Sequence, residues 1–460
     1  MLKNYIGDKY FYRRVLRVAI PIIVQNGITN FVSMLDNIMV GQVGTVPMSG
    51  VSIVNNLLLI FNLCIFGAIS GAGILTAQFH GSANEDGVRQ TFRFKFLICL
   101  LLTLAGGLIF TFANEPLIGI YLTGDGDPMA IARTKVYGMD YLKVMIWGFL
   151  PFALSNTYSS TMRETGDGIT PMLAGIVAVF VNLGLNYVLI FGHFGAPALG
   201  VVGAAWATVI SRYVEFFIVA IWTHAKAKRY PYIKGAYRSL YIPKDLMSII
   251  IRMGLPLLAN EFIWSMGVAI KNQCYSTCGL DVVPAMNIAS TLFTLGSVVF
   301  QACGNSVGII MGQMMGAGRP KEEIQDHNRK LIAFSVVIGT LFGSVIAAFS
   351  VVFPGIYNTT PAVRHLATVL ICINAALIPF NSFTNATYFT LRSGGQTTVT
   401  FIFDSCFIWG VCVPVAFVLS RYTNIGIIPL YLICQGTDMI KCIVGSKMLK
   451  QGKWIQNLTA

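Results

Sequence analysis

Asp36 is a lone acid set inside a long apolar run, fifteen residues beyond Pro21. An ionised carboxyl in such a setting costs about 2.5–3.5 kcal/mol on insertion scales, so its natural chemistry is to take up a proton or meet a cation. Asn182 and Asn186 lie four residues apart, on one face of a helix, and each offers a carbonyl oxygen; Thr208 adds a hydroxyl. With Asp36 they make either an oxygen-lined pocket for sodium or a hydrogen-bond shell around a protonated carboxyl. Interhelical hydrogen bonding, worth about 0.6 kcal/mol in a membrane, is the plainer reading of the same residues.

Glu261 stands five residues beyond Pro256, and Lys271 ten residues further on. Glu261 is expected to be a second protonatable or cation-attracting site, the alternative being a structural pair with Lys271 or with a base from a neighbouring helix. Pro21 and Pro256 each remove a backbone hydrogen bond from a helix interior and so supply hinges. Glu215, Asp404, Asp438 and Lys441 also fall in or near apolar runs. Asp438 and Lys441 are three apart on one helix face and are expected to neutralise each other, whereas spacing assigns no partner to Glu215 or Asp404.

The elements that position these groups follow from composition. The chain has 460 residues, 55% of them hydrophobic and only 11% charged. Soluble domains carry about 25% charged residues, so a water-surrounded fold is excluded. A bilayer core takes roughly 20 apolar residues per helix, and twelve such runs are present. Their centres lie near Val24, Ile65, Thr103, Met145, Phe180, Ile210, Met266, Val299, Ile338, Cys372, Ile408 and Cys434. The fold class is therefore an all-α membrane protein of twelve transmembrane helices.

The net charge of +13 sits in short gaps between the runs, where it sets topology, and not in a basic stripe of the kind that binds nucleic acid. Bases cluster in alternate loops: Arg13 and Arg14; Arg89, Arg93 and Lys95; Arg163; Lys226 through Lys244; Arg319 through Lys330; Arg392; and Lys447, Lys450 and Lys453. The other loops hold Glu115, Asp125, Asp127 and Asp281. Both termini are thus expected in the cytoplasm. The N-terminal stretch does not read as a cleaved signal peptide. The ten cysteines are scattered singly, with no disulfide framework or zinc spacing, and no metal beyond sodium is expected.

Shifting the chain by 235 residues carries Arg17 onto Arg252, Pro21 onto Pro256, Asn37 onto Asn272 and Gly44 onto Gly279. The same shift carries Gly73 onto Gly308, Gln78 onto Gln313, Gly81 onto Gly316 and Gln90 onto Gln325, and sets Asp36 against Lys271. The expected organisation is a six-helix lobe over 1–222, a basic cytoplasmic linker over 223–245 and a second lobe over 246–460. Six spans separate equivalent positions, so both halves enter the bilayer in one direction, an arrangement suited to alternating access.

Leu35-Asp36-Asn37-Ile38-Met39-Val40-Gly41-Gln42-Val43-Gly44 resembles the multidrug and toxic compound extrusion (MATE) family. So do Gly67-Ala68-Ile69-Ser70-Gly71-Ala72-Gly73 with Ala77-Gln78, Gly203-Ala204-Ala205-Trp206-Ala207-Thr208, and Gly254-Leu255-Pro256. The resemblance spans essentially the whole chain. It implies two pseudo-symmetric lobes in a V, and a proton- or sodium-coupled antiporter that exports amphipathic, cationic organic compounds across the plasma membrane. It also implies a monomer without a cofactor, and puts Asp36, Asn182, Asn186 and Thr208 at an amino-lobe cation site. Many relatives carry aspartate where Asn186 stands, and the family's acidic position in span ten is Asn381 here. Both departures leave less negative charge for sodium.

Two other classes are weighed against this one. A lipid-linked saccharide flippase of related architecture needs cavity arginines for a pyrophosphate, and most arginines here lie at loop ends. A membrane-embedded transferase needs paired His or carboxylate motifs, and the five histidines are isolated.

Overall fold

The computed structural model describes residues 5–122, 127–279, 281–357, 359–423 and 425–459. Asp125 lies outside the described residues. Within them the chain is helical, with no strand. Eleven helices are long and apolar enough to cross a membrane. In chain order the first three are α1 (Lys9–Gly41), α2 (Thr45–Gly81) and α3 (Glu85–Phe112). The fourth span, α4, is assembled from Pro128–Met145 and Phe149–Glu164, joined by the 3₁₀ turn Ile146–Gly148. Arg133, Lys135, Asp140 and Lys143 make its first half too polar to stand with the other eleven. Then follow α5 (Ile169–Phe191), α6 (Val201–Ala225), α7 (Lys244–Ser276) and α8 (Val282–Gly316). The last four are α9 (Lys321–Phe349), α10 (Pro361–Ser393), α11 (Thr397–Tyr422) and α12 (Ile427–Gln451). Twelve spans in two sequence-related sets of six result.

Local chemistry fixes the ends. Asp127 accepts the Met129 N–H at 3.1 Å and Pro128 opens α4. Thr360 accepts the Val363 N–H at 3.3 Å in front of Pro361, which opens α10. Each supplies one partner for the unpaired donors of a helix start. The outer faces carry apolar side chains: on α3, Leu101 and Leu104 are 60% and 62% exposed and Phe112 is 82% exposed. Water penalises such a stripe and hydrocarbon does not, which places these helices in lipid.

The chain packs into two compact units. The first contains Val24–Thr76 and Glu85–Ser248; the second contains the chain up to Ile23, Ala77–Asn84, and the chain from Ile249 on. Helix α1 passes from one unit to the other two residues beyond Pro21. Both have apolar cores, around Val54, Leu142 and Ala205 in the first and around Leu370, Ile378 and Leu430 in the second.

Residues 226–243 pack onto the first unit. Arg93 donates to the carbonyls of Ala236 at 2.7 Å and Gly235 at 2.9 Å, and Arg89 to that of Tyr232 at 3.2 Å. These arginines, expected in a loop, lie within α3 and hold backbone as well as carrying charge. Asp167, just before α5, accepts from the Tyr230 hydroxyl and faces Arg229 at 3.3 Å. Burial raises the pKa of Asp167, but the hydrogen bonds from Tyr230 and Thr170 and the Arg229 charge outweigh it and hold the carboxyl below its usual range.

In the second unit the repeat meets itself. A Cβ on Gly81 would run into the Gln313 carbonyl, and one on Gly316 into the Gln78 carbonyl. The 235-residue shift interchanges these two contacts, so the crossing of α2 and α8 is a local pseudo-two-fold contact. Gln78, fully buried, also ties the end of α10 to the segment that follows α12: its amide donates to the Ser393 carbonyl at 2.9 Å and the Gln456 carbonyl at 3.2 Å, and its Oε1 accepts the Leu458 N–H at 2.7 Å. Beside it Trp454 is 1% exposed, packed with Phe11, Val15 and Met311. Gln78→Ala takes this partner from two carbonyls and an N–H, at an expected cost of about 1–3 kcal/mol. Faster proteolysis of residues 453–459 in that variant is the measurement; an unchanged cleavage rate would show that Gln78 does not hold this segment.

Candidate functional site

The groups of the first unit converge. Asn186 on α5 is 1% exposed, and its Nδ2 donates to Asp36 Oδ1 at 2.5 Å and to Asn182 Oδ1 at 3.2 Å. Asn182 Nδ2 donates to Thr208 Oγ1 at 3.4 Å, and Thr208 donates on to the Ala204 carbonyl at 3.0 Å. The four-residue spacing on α5 produces this stack. Gly203 lets α6 approach, since a Cβ there would strike the Leu189 carbonyl.

In this orientation Asn182 Oδ1 lies 3.0 and 3.1 Å from the two Asp36 oxygens, acceptor against acceptor. Turning the amide makes Asn182 a donor to the carboxylate, with its oxygen accepting the Thr208 N–H at 3.3 Å. A proton on the carboxyl, or a cation among the oxygens, removes the same conflict without turning it. Asn186 Oδ1 is buried and has no hydrogen-bond partner among the described residues. Asp36, itself half-buried, thus sits among carboxylate, amide and hydroxyl oxygens that suit either a shared proton or a small monovalent cation.

The second unit is built differently. The charged groups that face Glu261 are Arg392 of α10 and Asp404 of α11. Lys271 lies elsewhere, because ten residues of helix span about 15 Å. Its Nζ donates to Gln435 Oε1 at 3.2 Å, in a network with Tyr431 and Asn374. Asn381 makes no side-chain hydrogen bond to Glu261 or Lys271 among the described residues; its carbonyl accepts from Thr384 at 3.1 Å. Pro256 lies inside α7, one turn before Asn260.

Sequence spacing left the partner of Asp404 unassigned, and it proves to be Lys441, at 2.8 Å, with Asp438 at 3.9 Å from the same ammonium. Asn260 ties this pair to α7: its Nδ2 donates to Asp404 Oδ2 at 3.3 Å and to the Tyr388 hydroxyl at 3.4 Å, and its Oδ1 accepts from Ser405 at 2.7 Å. Glu215, the other unassigned acid, lies among Arg212, Arg163 and Ser155. Arg212 rests 4.3 Å from the centre of the Phe152 ring.

Twelve spans in two repeated sets, with polar clusters enclosed in each unit and apolar faces turned to lipid, define a multi-pass membrane transporter. The comparisons with known proteins narrow the class. A family model described as MatE matches residues 21–188 and again 256–418, the two matches opening on Pro21 and Pro256, the pair the internal repeat superimposes. The chain belongs to the MATE family of multidrug efflux transporters, which are not enzymes. It is 26% identical to a probable multidrug resistance protein NorM of Thermotoga maritima, over 99% of this chain and 96% of that one. To the probable multidrug resistance protein YoeA of Bacillus subtilis it is 27% identical, over 92% and 89%. Among solved structures, a multidrug resistance MATE family transporter in an outward-facing conformation superposes with a TM-score of 0.86 at 19% identity, over 98% of both chains.

Proposed function

We propose that this transporter exports amphipathic, cationic organic compounds in exchange for a proton or sodium, and that Asp36 loads and unloads the coupling ion. The observation that carries the reading is the Asp36 cluster: a half-buried carboxylate held by a fully buried asparagine at 2.5 Å, with a second amide oxygen turned toward it. Ion binding neutralises Asp36, and a cationic substrate nearby then loses its electrostatic partner; differential affinity of this kind links the two fluxes. Pro21 is placed to let α1 bend, since the chain changes packing unit just beyond it. The relatives named as multidrug resistance proteins support small organic substrates. The basic loops support an orientation with both termini in the cytoplasm.

The test is dye efflux from proteoliposomes under an imposed sodium gradient at fixed pH, and separately under a pH gradient at fixed sodium. One of the two is expected to accelerate efflux, and the one that does names the ion. Efflux indifferent to both would remove ion coupling from the account.

A further inference from the structure

The second unit holds a buried cation of its own. Lys441 is 9% exposed, its ammonium lying between Asp404 Oδ1 at 2.8 Å and Asp438 Oδ1 at 3.9 Å and 5.1 Å from the centre of the Phe407 ring. Such a site is assembled, not incidental. Asp404 and Ser405 lie in a π-helical stretch of α11, Ile402–Cys406, and π-bulges recur at functional sites. There Asp404 meets Asn260 Nδ2, and the Ser405 hydroxyl donates to both Asn260 oxygens, at 2.7 Å to Oδ1 and 3.0 Å to the carbonyl. One face of α11 is thereby fastened to α7 immediately before Glu261.

We propose that Lys441 is a tethered cation occupying a monovalent-cation site formed by Asp404 and Asp438, so that this site takes up no exchangeable sodium. An ammonium and a sodium ion carry the same charge and both seek oxygen ligands; they differ in that the ammonium cannot leave. The Asp36 cluster offers the contrast, because among the described residues the groups within hydrogen-bond distance of that carboxylate are the amides of Asn186 and Asn182. On the ion-coupled reading of the protein, the Asp404/Asp438 site then takes no part in exchange of a metal cation, while the Asp404–Lys441 pair keeps α7, α11 and α12 together throughout the cycle.

Removing the ammonium should open the site. The purified full-length protein is unfolded thermally in sodium chloride and in choline chloride at equal ionic strength, and the difference in Tm is compared between variants. Wild type and Lys441→Arg are expected to give the same difference, set by the rest of the protein. Lys441→Ala is expected to add a sodium-dependent rise of about 2 °C or more. That increment should vanish in Asp404→Asn/Lys441→Ala. A sodium response in Lys441→Ala equal to that of wild type, or an increment that survives in the double variant, overturns the proposal. Should Lys441→Ala yield no folded protein in either salt, Lys441→Gln takes its place and is judged by the same two outcomes. Because sodium binding is read without transport, this result stands apart from the proteoliposome experiment: indifference of efflux to both gradients would leave it intact.

Discussion

Asp36→Asn is expected to lower ion-driven dye efflux by about 100-fold or more while leaving folded protein in the membrane. The substitution keeps the size and the hydrogen-bonding reach of the side chain, so Asn186 at 2.5 Å and Asn182 still find a partner. It removes the one formal charge of the cluster, and with it the free-energy difference between loaded and unloaded states. Couplings between two ligands are commonly about 1–3 kcal/mol, which spans about 5- to 150-fold in affinity. Elimination of the loading group forfeits the whole of that factor. Initial efflux rates in proteoliposomes, beside a size-exclusion profile that certifies the fold, make the measurement. Gradient-driven efflux at the wild-type rate would dismiss Asp36 from the mechanism.

The Asp36 cluster was legible because its geometry is mostly helical periodicity: Asn182 and Asn186 share a face at a spacing of four, and an acid in an apolar run stands out by cost alone. The repeat was legible as well, but its reason was not. Gly81 and Gly316 coincide under the 235-residue shift, and only the folded chain reveals that each makes room for the carbonyl of the other's neighbouring glutamine. Contacts between helices distant in sequence were beyond reach. Nothing in the spacing joins Asp404 to Lys441, 37 residues away on another helix, or says that Lys271 turns to Gln435. The fourth span was readable by its position between its neighbours despite the charges in its first half. Lys95 grouped with the loop bases by proximity to Arg89 and Arg93, yet those two reach the backbone of residues 226–243 while Lys95, on another face of α3, is wholly enclosed.

That enclosure predicts the largest effect on stability. Lys95 is 0% exposed; its ammonium pairs with Glu164 at the end of α4 and donates to Ser160 and Thr161, both at 3.3 Å. Gly73 on α2 leaves the space the Glu164 carboxylate fills, since a Cβ there would collide with it. Removing one member of a buried pair strands the charge of the other, so Lys95→Met or Glu164→Leu is expected to cost about 3–5 kcal/mol. Replacing both by apolar groups strands nothing, and Lys95→Met/Glu164→Leu should regain most of that loss. The exposed pair Lys143–Asp140, with side chains 59% and 44% exposed, is the internal comparison: breaking it should cost at most about 1 kcal/mol. Unfolding of the single and double variants in mixed detergent, arranged as a double-mutant cycle, measures the coupling. If the double variant were as unstable as the sum of the singles, the pair would not be acting as a pair, and packing around the Lys95 chain would have to account for the loss.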